Sequence, residues 1–152
     1  MSNEELKSII TEYAPAATFE EGGAWLSVHV DSRDWLPLAE ALRNHSQLDF
    51  DYLFCVTGVD WKTHFTVVYH LTSKKAGHTV VVKVKIEDRE HPVVETVCGI
   101  WRTAELNERE VYDFFGIKFN RHPDLRRLFL TEDWKGWPMR KDYEDPINMI
   151  KL

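Results

Sequence analysis

The first third of the chain switches between helical and extended patterns of apolar residues. Ser2 and Glu5 have the spacing of a capping box at the start of a helix. The apolar residues that follow recur at helical spacing: Leu6, Ile9, Ile10 and Tyr13. Alternation over residues 26–30 predicts a strand. A second helical stripe consists of Trp35, Leu38, Ala39 and Leu42. Asp34 is the predicted N-cap of that helix, and Pro37 would fall in its first turn, where proline is tolerated.

The middle of the chain predicts a series of strands and then one more helix. An apolar run over residues 50–58 ends near a glycine. A long alternation then places one set of side chains on a common face: Trp61, Phe65, Val67, Tyr69 and Leu71. Residues 80–86 alternate valine and isoleucine with lysine, and residues 93–97 predict a short strand. The last helix is predicted from about residue 103 to 115 and closed by Gly116.

This order of elements predicts an α+β fold, in which helices pack on a largely antiparallel sheet. We expect a domain over residues 1–116 and a long irregular arm over residues 117–152, because neither helical nor strand periodicity continues after Gly116. The arm still carries many large apolar side chains, and structureless segments of this length are uncommon unless they are functional. Such an arm is typical of a chain that wraps a neighbouring subunit.

Charge and cysteine content restrict the function. The chain has a net charge of −6, which argues against nucleic-acid binding. The arm is mildly basic, with eight Lys/Arg and six Asp/Glu, whereas residues 1–116 carry eleven and nineteen. Cys55 and Cys98 lie far apart in sequence and cannot build a conventional iron–sulfur cluster, which generally needs four thiolates. No apolar run is long enough to span a bilayer, so we expect membrane association only through partners.

The last predicted helix is densely charged. Glu105, Arg109 and Asp113 would form an acid–base–acid ladder along one face. As a solvated outer face, this ladder would contribute little to stability. The arm also supplies arginines and a lysine that could bind these carboxylates or reach acidic groups on a partner: Arg121, Arg126, Arg127, Arg140 and Lys141.

The stretch "EREVYDFFGIKFNRHPDLRRLFL", followed by "EDWKGWPMRKDY", resembles the signature of the C-type subunit of bacterial NADH:quinone oxidoreductase, respiratory complex I. Phe129 departs from it, because the family more often has a smaller aliphatic residue there. The resemblance implies a non-catalytic structural subunit of the peripheral arm of the complex. Its last helix and C-terminal arm would dock the subunit that helps to form the quinone pocket.

Carried onto this sequence, the resemblance implies a set of interface residues: Glu108, Arg109, Glu110, Asp113, His122, Asp124, Arg126, Arg127, Trp134, Trp137, Arg140, Lys141, Asp142 and Tyr143. The acidic and basic residues of the helix would order it and dock the arm. Arg126, Arg127, Arg140 and Lys141 would pair with carboxylates at or near the interface. The large aromatic residues of the arm would be the apolar anchors.

The resemblance also implies where the cofactors lie. NADH, flavin, iron–sulfur clusters and quinone would be bound by partner subunits, including neighbouring iron–sulfur subunits. We expect no catalytic, cofactor or metal site on this chain and a peripheral location on the cytoplasmic face of the cell membrane.

Three alternatives remain open. The same subunit type occurs in ferredoxin- or F420H2-dependent dehydrogenases and in membrane-bound hydrogenases, and the electron donor would bind elsewhere in each. A second alternative is a small enzyme with His122, Asp124 and Asp142 in a cleft, although His122-Pro123-Asp124 is also typical of a turn. A third is an adaptor that binds a protein outside any respiratory complex.

Overall fold

The structure of the protein, a computed structural model, describes residues 1–150. In this part of the chain, the elements follow one another in this order: α1 (Asn3–Tyr13), β1 (Thr18–Glu20), β2 (Leu26–Asp31), α2 (Ser32–Asn44), β3 (Tyr52–Asp60), β4 (Phe65–Ser73), β5 (His78–Ile86), β6 (Val93–Glu95), α3 (Ala104–Phe115) and β7 (Lys118–Asn120). One continuous hydrophobic core joins the helices to one face of a five-stranded sheet. The α+β fold class is therefore confirmed.

The first two helices bury the predicted stripes. The capping box of α1 is present, since the Ser2 N–H donates to Glu5 and the Glu5 N–H donates to the Ser2 hydroxyl. The second helix begins earlier than predicted, because Asp31 rather than Asp34 is its N-cap. Pro37 is thus the sixth residue of α2 and lies beyond its first turn. The predicted stripe of α2 is nevertheless fully buried.

The main sheet has the strand order β1-β2-β5-β4-β3. β2 and β5 are parallel, and the other neighbouring pairs are antiparallel. The alternating apolar residues of β4 and β5 face the helices and are buried, as predicted. No helix of residues 1–150 packs on the opposite face of the sheet, which we call the open face.

Trp61 departs from the predicted alternation. It lies in the turn between β3 and β4, where its backbone N–H donates to the carbonyl of His64, and 57% of the residue is exposed. The turn is closed by the pair Asp60 and Phe65, and Lys62 adopts a φ of 69°. The alternation therefore begins at Phe65, because the chain reverses direction before that residue.

The last helix ends as predicted, with Gly116 in the left-handed conformation at a φ of 70°. The strand β7 then pairs in parallel with β6, so regular structure continues past Gly116. The sequence analysis missed both β1 and β7, three-residue strands that lack the run of adjacent valines that marked β6. After Asn120, the described part of the arm contains no further helix or strand.

Candidate interface site

The carboxylate of Asp113, in the last turn of α3, is a binding point for the arm. It is fully buried and accepts hydrogen bonds from the backbone N–H groups of Leu128, Phe129 and Leu130, at 3.2, 2.7 and 3.0 Å. The guanidinium of Arg127 donates to the same carboxylate at 3.1 Å. Burial alone would raise the pKa of Asp113, but these donors outweigh it and lower the pKa below its usual value.

Arg109, one turn earlier, also binds the arm. Its guanidinium is buried and donates to the carbonyl oxygens of Arg126 and Arg127, at 3.2 and 2.9 Å. No ion pair joins Arg109 to Glu105 or to Asp113 among the described residues. The charged helix is therefore not a solvated ladder, because its central charges satisfy the backbone of an irregular segment.

Arg127 connects several parts of the arm. Besides its ion pair with Asp113, it donates to the carbonyl oxygens of Trp134 and Gly136, at 3.1 and 2.9 Å. Its guanidinium carbon lies 4.4 Å from the centroid of the Trp137 ring, a cation–π contact. The arm turns sharply here, and one arginine supplies the donors that its backbone carbonyls need.

Trp137 packs against the chain's own last helix. A Cβ atom on Gly116 would lie 2.5 Å from a carbon of the Trp137 ring, so only glycine allows this approach. The same glycine adopts the left-handed conformation that ends the helix. Gly116 thus both ends α3 and makes space for the arm.

The far part of the arm is fixed where β3 and α3 end. The Lys141 N–H donates to the carboxylate of Asp60 at 2.9 Å, and Arg89 also binds that carboxylate. Arg140 donates to the Phe115 carbonyl at 2.6 Å. Burial would raise the pKa of Asp60, but the hydrogen bonds from Arg89 and from the N–H groups of Lys141 and Lys62 lower it to about 2. Sequence analysis did not identify Asp60, because nothing in its spacing marks a buried carboxylate.

The remaining predicted interface residues are placed differently. Arg126 and Asp124 form an exposed ion pair with each other at 3.0 Å. Asp142 lies beside Arg89 at 3.6 Å, and the side chain of Glu110 makes no hydrogen bond or ion pair with a described residue. Tyr143 is partly buried.

Glu108 turns towards a different part of the core. Its buried carboxyl accepts from the Thr96 hydroxyl at 2.5 Å, the Val97 N–H at 2.9 Å and the Cys98 thiol at 3.3 Å. Burial raises the pKa of Glu108, against the opposing effect of these donors. Burial likewise raises the pKa of the Cys98 thiol to about 12.

The thiol of Cys98, the carboxyl of Glu108 and the ring of His122 lie within 4.8 Å of one another, a grouping that their spacing in sequence did not indicate. The Asp124 N–H donates to Nδ1 of His122 at 3.0 Å, so Nε2 carries the proton and donates to the Glu105 carbonyl at 2.9 Å. Nε2 of His122 also lies 3.9 Å from the Glu108 carboxyl. Hydrogen bonds thus already use the atoms that could bind a metal.

The arm also exposes apolar side chains. We call the following residues the arm surface: Phe129, Trp134, Met139 and Ile147, which are 65%, 37%, 56% and 90% exposed. Phe129 stacks on Phe114 of α3, with ring centroids 5.7 Å apart. Side chains of this size are typical of protein interfaces when they lie together.

No helix in the described part of the chain has the length and apolar character needed to cross a membrane.

Comparison with known proteins identifies the family. Residues 28–146 match the family described as respiratory-chain NADH dehydrogenase, 30 kDa subunit. The C-type subunit of the NADH-quinone oxidoreductase of Chlorobium phaeobacteroides is 42% identical over 118 residues, which cover 76% of this chain and 70% of that protein. The fused C/D-type subunit of Phocaeicola vulgatus is 44% identical over 114 residues, but the match covers only 22% of that longer protein and 74% of this chain.

A similar solved structure comes from the membrane-bound sulfane sulfur reductase, an archaeal respiratory membrane complex. The chain matched there has a TM-score of 0.73 and 30% sequence identity, and the match covers 93% of this chain and 85% of that one. On the family match and the related sequences together, the chain belongs to the 30 kDa subunit family of the respiratory-chain NADH dehydrogenase.

Proposed function

We propose that this chain is a non-catalytic structural subunit of the peripheral arm of a proton-translocating NADH:quinone oxidoreductase. It attaches to the quinone-site subunit through α3 and the C-terminal arm. NADH, flavin, iron–sulfur clusters and quinone are bound by partner subunits, and the chain lies at the cytoplasmic face of the membrane through the complex.

The observation that carries this proposal is the way in which the arm is held. Asp113, Arg109 and Arg127 satisfy the backbone of the arm from inside, while the apolar residues of the arm surface remain exposed outside. Ordering a segment before it binds reduces the entropy cost of association. A partner therefore meets a surface that is already shaped.

The fused relatives support the choice of partner. In the C/D-type protein of Phocaeicola vulgatus, a C-type segment and a D-type segment belong to one polypeptide. Two segments that share one chain lie close together, so a D-type subunit is the first candidate for the neighbour of this chain.

The thiols support a structural role. Cys55 is on β3 and Cys98 lies between β6 and α3, so a conventional cluster would need further thiolates from another chain. The raised pKa of Cys98 keeps its thiol protonated at neutral pH, which disfavours nucleophilic chemistry. His122 is engaged at both ring nitrogens, and no contact brings Asp142 to it among the described residues.

A second candidate function follows from the structural relative. The sulfane sulfur reductase is described as an archaeal respiratory membrane complex, so a chain with this fold also occurs outside NADH-dependent enzymes. An equivalent role in a ferredoxin- or F420H2-dependent dehydrogenase or a membrane-bound hydrogenase is compatible with the same arm. The electron-input subunits that co-purify with the chain distinguish the two.

The test replaces an apolar residue of the arm surface by a charge. Met139→Glu should leave the melting temperature of the isolated chain unchanged, because the side chain is 56% exposed, but it should prevent incorporation into the complex on native gels. Tyr13→Glu is the control, since Tyr13 is 41% exposed on α1, away from the arm. Normal incorporation of Met139→Glu would refute docking through the arm surface.

A further inference from the structure

Four aromatic side chains gather on the open face of the sheet, and we call them the aromatic patch: Trp25, Tyr52, Phe54 and His70. Phe54 is central, with ring centroids 6.1 Å from Trp25, 6.2 Å from Tyr52 and 5.6 Å from His70. Trp25 is 45% exposed, and Tyr52 and Phe54 are each 39% exposed. The patch is thus one cluster of rings rather than a set of scattered apolar residues.

The rings of the patch are only partly buried against the sheet. Val81, which lies between Ser27 and His70 in the strand register, is only 7% exposed, so the strand beneath the rings is covered. The helices contact the other face. The outer surfaces of Trp25 and Phe54 therefore remain in contact with solvent, where aromatic residues are unfavourable but serve well as interface anchors.

Two lysines, Lys74 and Lys75, lie at the edge of the patch beside Tyr52. The ammonium of Lys74 lies 4.8 Å from the centroid of the Tyr52 ring and 3.7 Å from the Asp51 carboxylate. Lys75 follows it in the same exposed turn and forms no ion pair with a described residue. A partner that presents a carboxylate beside an apolar side chain would complement this surface.

The patch lies at the opposite end of β3 from the attachment point of Lys141. Tyr52 begins β3, and Asp60, which binds the arm at Lys141, ends it. Eight residue steps along a strand correspond to about 27 Å. The patch at one end of β3 and the part of the arm near Lys141 at the other can each contact a different neighbour.

We infer that the aromatic patch docks a second subunit of the same complex, different from the subunit that contacts the arm surface. This second neighbour presents an aliphatic or aromatic side chain flanked by a carboxylate. The inference rests on the proposed function, because it takes the chain to be part of a multi-subunit complex. It gives the chain the role of a bridge between two neighbours.

The test uses photo-crosslinking in the intact complex. A benzophenone amino acid is placed at Phe54, at Met139 or, as a control, at Glu40, an exposed position on α2. After irradiation, the complex is purified and the crosslinked subunits are identified by mass spectrometry. The probe at Phe54 should capture one subunit, the probe at Met139 a different one, and the probe at Glu40 neither of these.

Each outcome decides between the two claims. The bridging inference would be overturned by any of three results. Both probes could capture the same subunit, the probe at Phe54 could capture a second copy of this chain, or the probe at Phe54 could give no product. No product from Met139 would refute docking through the arm surface, whatever the Phe54 probe captures. As a second readout, Phe54→Lys should cause loss of the second subunit on a density gradient, whereas Phe54→Leu should retain it.

Discussion

Replacing Asp113 by asparagine tests the internal attachment of the arm. The change keeps the size of the side chain but removes its charge. In one orientation of the asparagine side chain, its oxygen still accepts from the backbone N–H groups of Leu128, Phe129 and Leu130, but its NH2 group then faces the guanidinium of Arg127. In the other orientation, the NH2 group faces the backbone N–H groups. Either orientation places a donor against a donor.

The magnitude follows from the nature of these bonds. Hydrogen bonds to a charged group contribute about 1.5–3 kcal/mol, and stranding one partner of a buried ion pair costs about 3–5 kcal/mol. We expect Asp113→Asn to lower the free energy of unfolding by about 3 kcal/mol, which corresponds to a fall in melting temperature of about 6–12 °C for a chain of this length. Urea unfolding followed by circular dichroism measures the first quantity.

Two further readouts identify the arm as the cause. Trypsin should cleave the variant faster at Lys135, Arg140 and Lys141, because the released arm exposes these bonds. The folded pKa of Asp113 lies below its unfolded value, so its stabilisation is present near neutral pH and is lost as the pH falls. The Asp113→Asn variant should therefore lose less stability than the wild type as the pH is lowered.

Asp124→Asn is the matched control. Asp124 has a side chain that is 48% exposed and pairs with the exposed Arg126, so its replacement should change stability by less than about 1 kcal/mol. A loss below about 1 kcal/mol for Asp113→Asn, with an arm as resistant to trypsin as in the wild type, would refute the role of Asp113 as an internal anchor.

Further predictions concern other contacts of the core and arm. Gly116→Ala should destabilise the chain by about 1–3 kcal/mol in urea unfolding, because the new methyl group meets Trp137 and the left-handed backbone is strained; an unchanged midpoint would contradict the contact. Asp60→Asn should lower the free energy of unfolding by about 2 kcal/mol at pH 7 and by little at pH 2, because the stabilisation from a pKa lowered from 3.8 to about 2 is complete above pH 3.8 and is lost as the pH falls towards 2. The pKa of Glu108 in the folded chain lies above 4.5, so the wild type should lose stability relative to Glu108→Gln as the pH rises from 4.5. Unfolding at a series of pH values measures this difference, and parallel stability curves for the two proteins would contradict the raised pKa. Arg126→Glu should disrupt assembly on native gels without changing the melting curve, because the side chain is 58% exposed; normal assembly would refute a role for it in docking.

The end of α3 was predictable because its signals are local. Periodicity indicated the helix, and a glycine after the last apolar residue is the usual way to end one. The alternation on β4 was predictable for the same reason. The prediction extended this alternation wrongly to Trp61, because a period of two does not reveal the turn between β3 and β4, in which Lys62 has a positive φ.

The contacts of the site depend on residues that are distant in sequence. The pattern showed that Asp113 and Arg109 are charged, but not that the backbone of residues 126–130 would come to them. Asp60 lies 81 residues from Lys141, and no local signal links the two. The aromatic patch was missed because its rings come from separate strands and meet only when β3 and β4 pair and β2 joins the same sheet.

The most direct test of the structural role is purification of the tagged chain from its own membranes in mild detergent, with mass spectrometry of the proteins that accompany it. The account predicts recovery of a D-type subunit together with iron–sulfur subunits, and loss of the D-type subunit with Met139→Glu but not with Tyr13→Glu. Recovery of the chain alone from membranes that contain an active complex would contradict it.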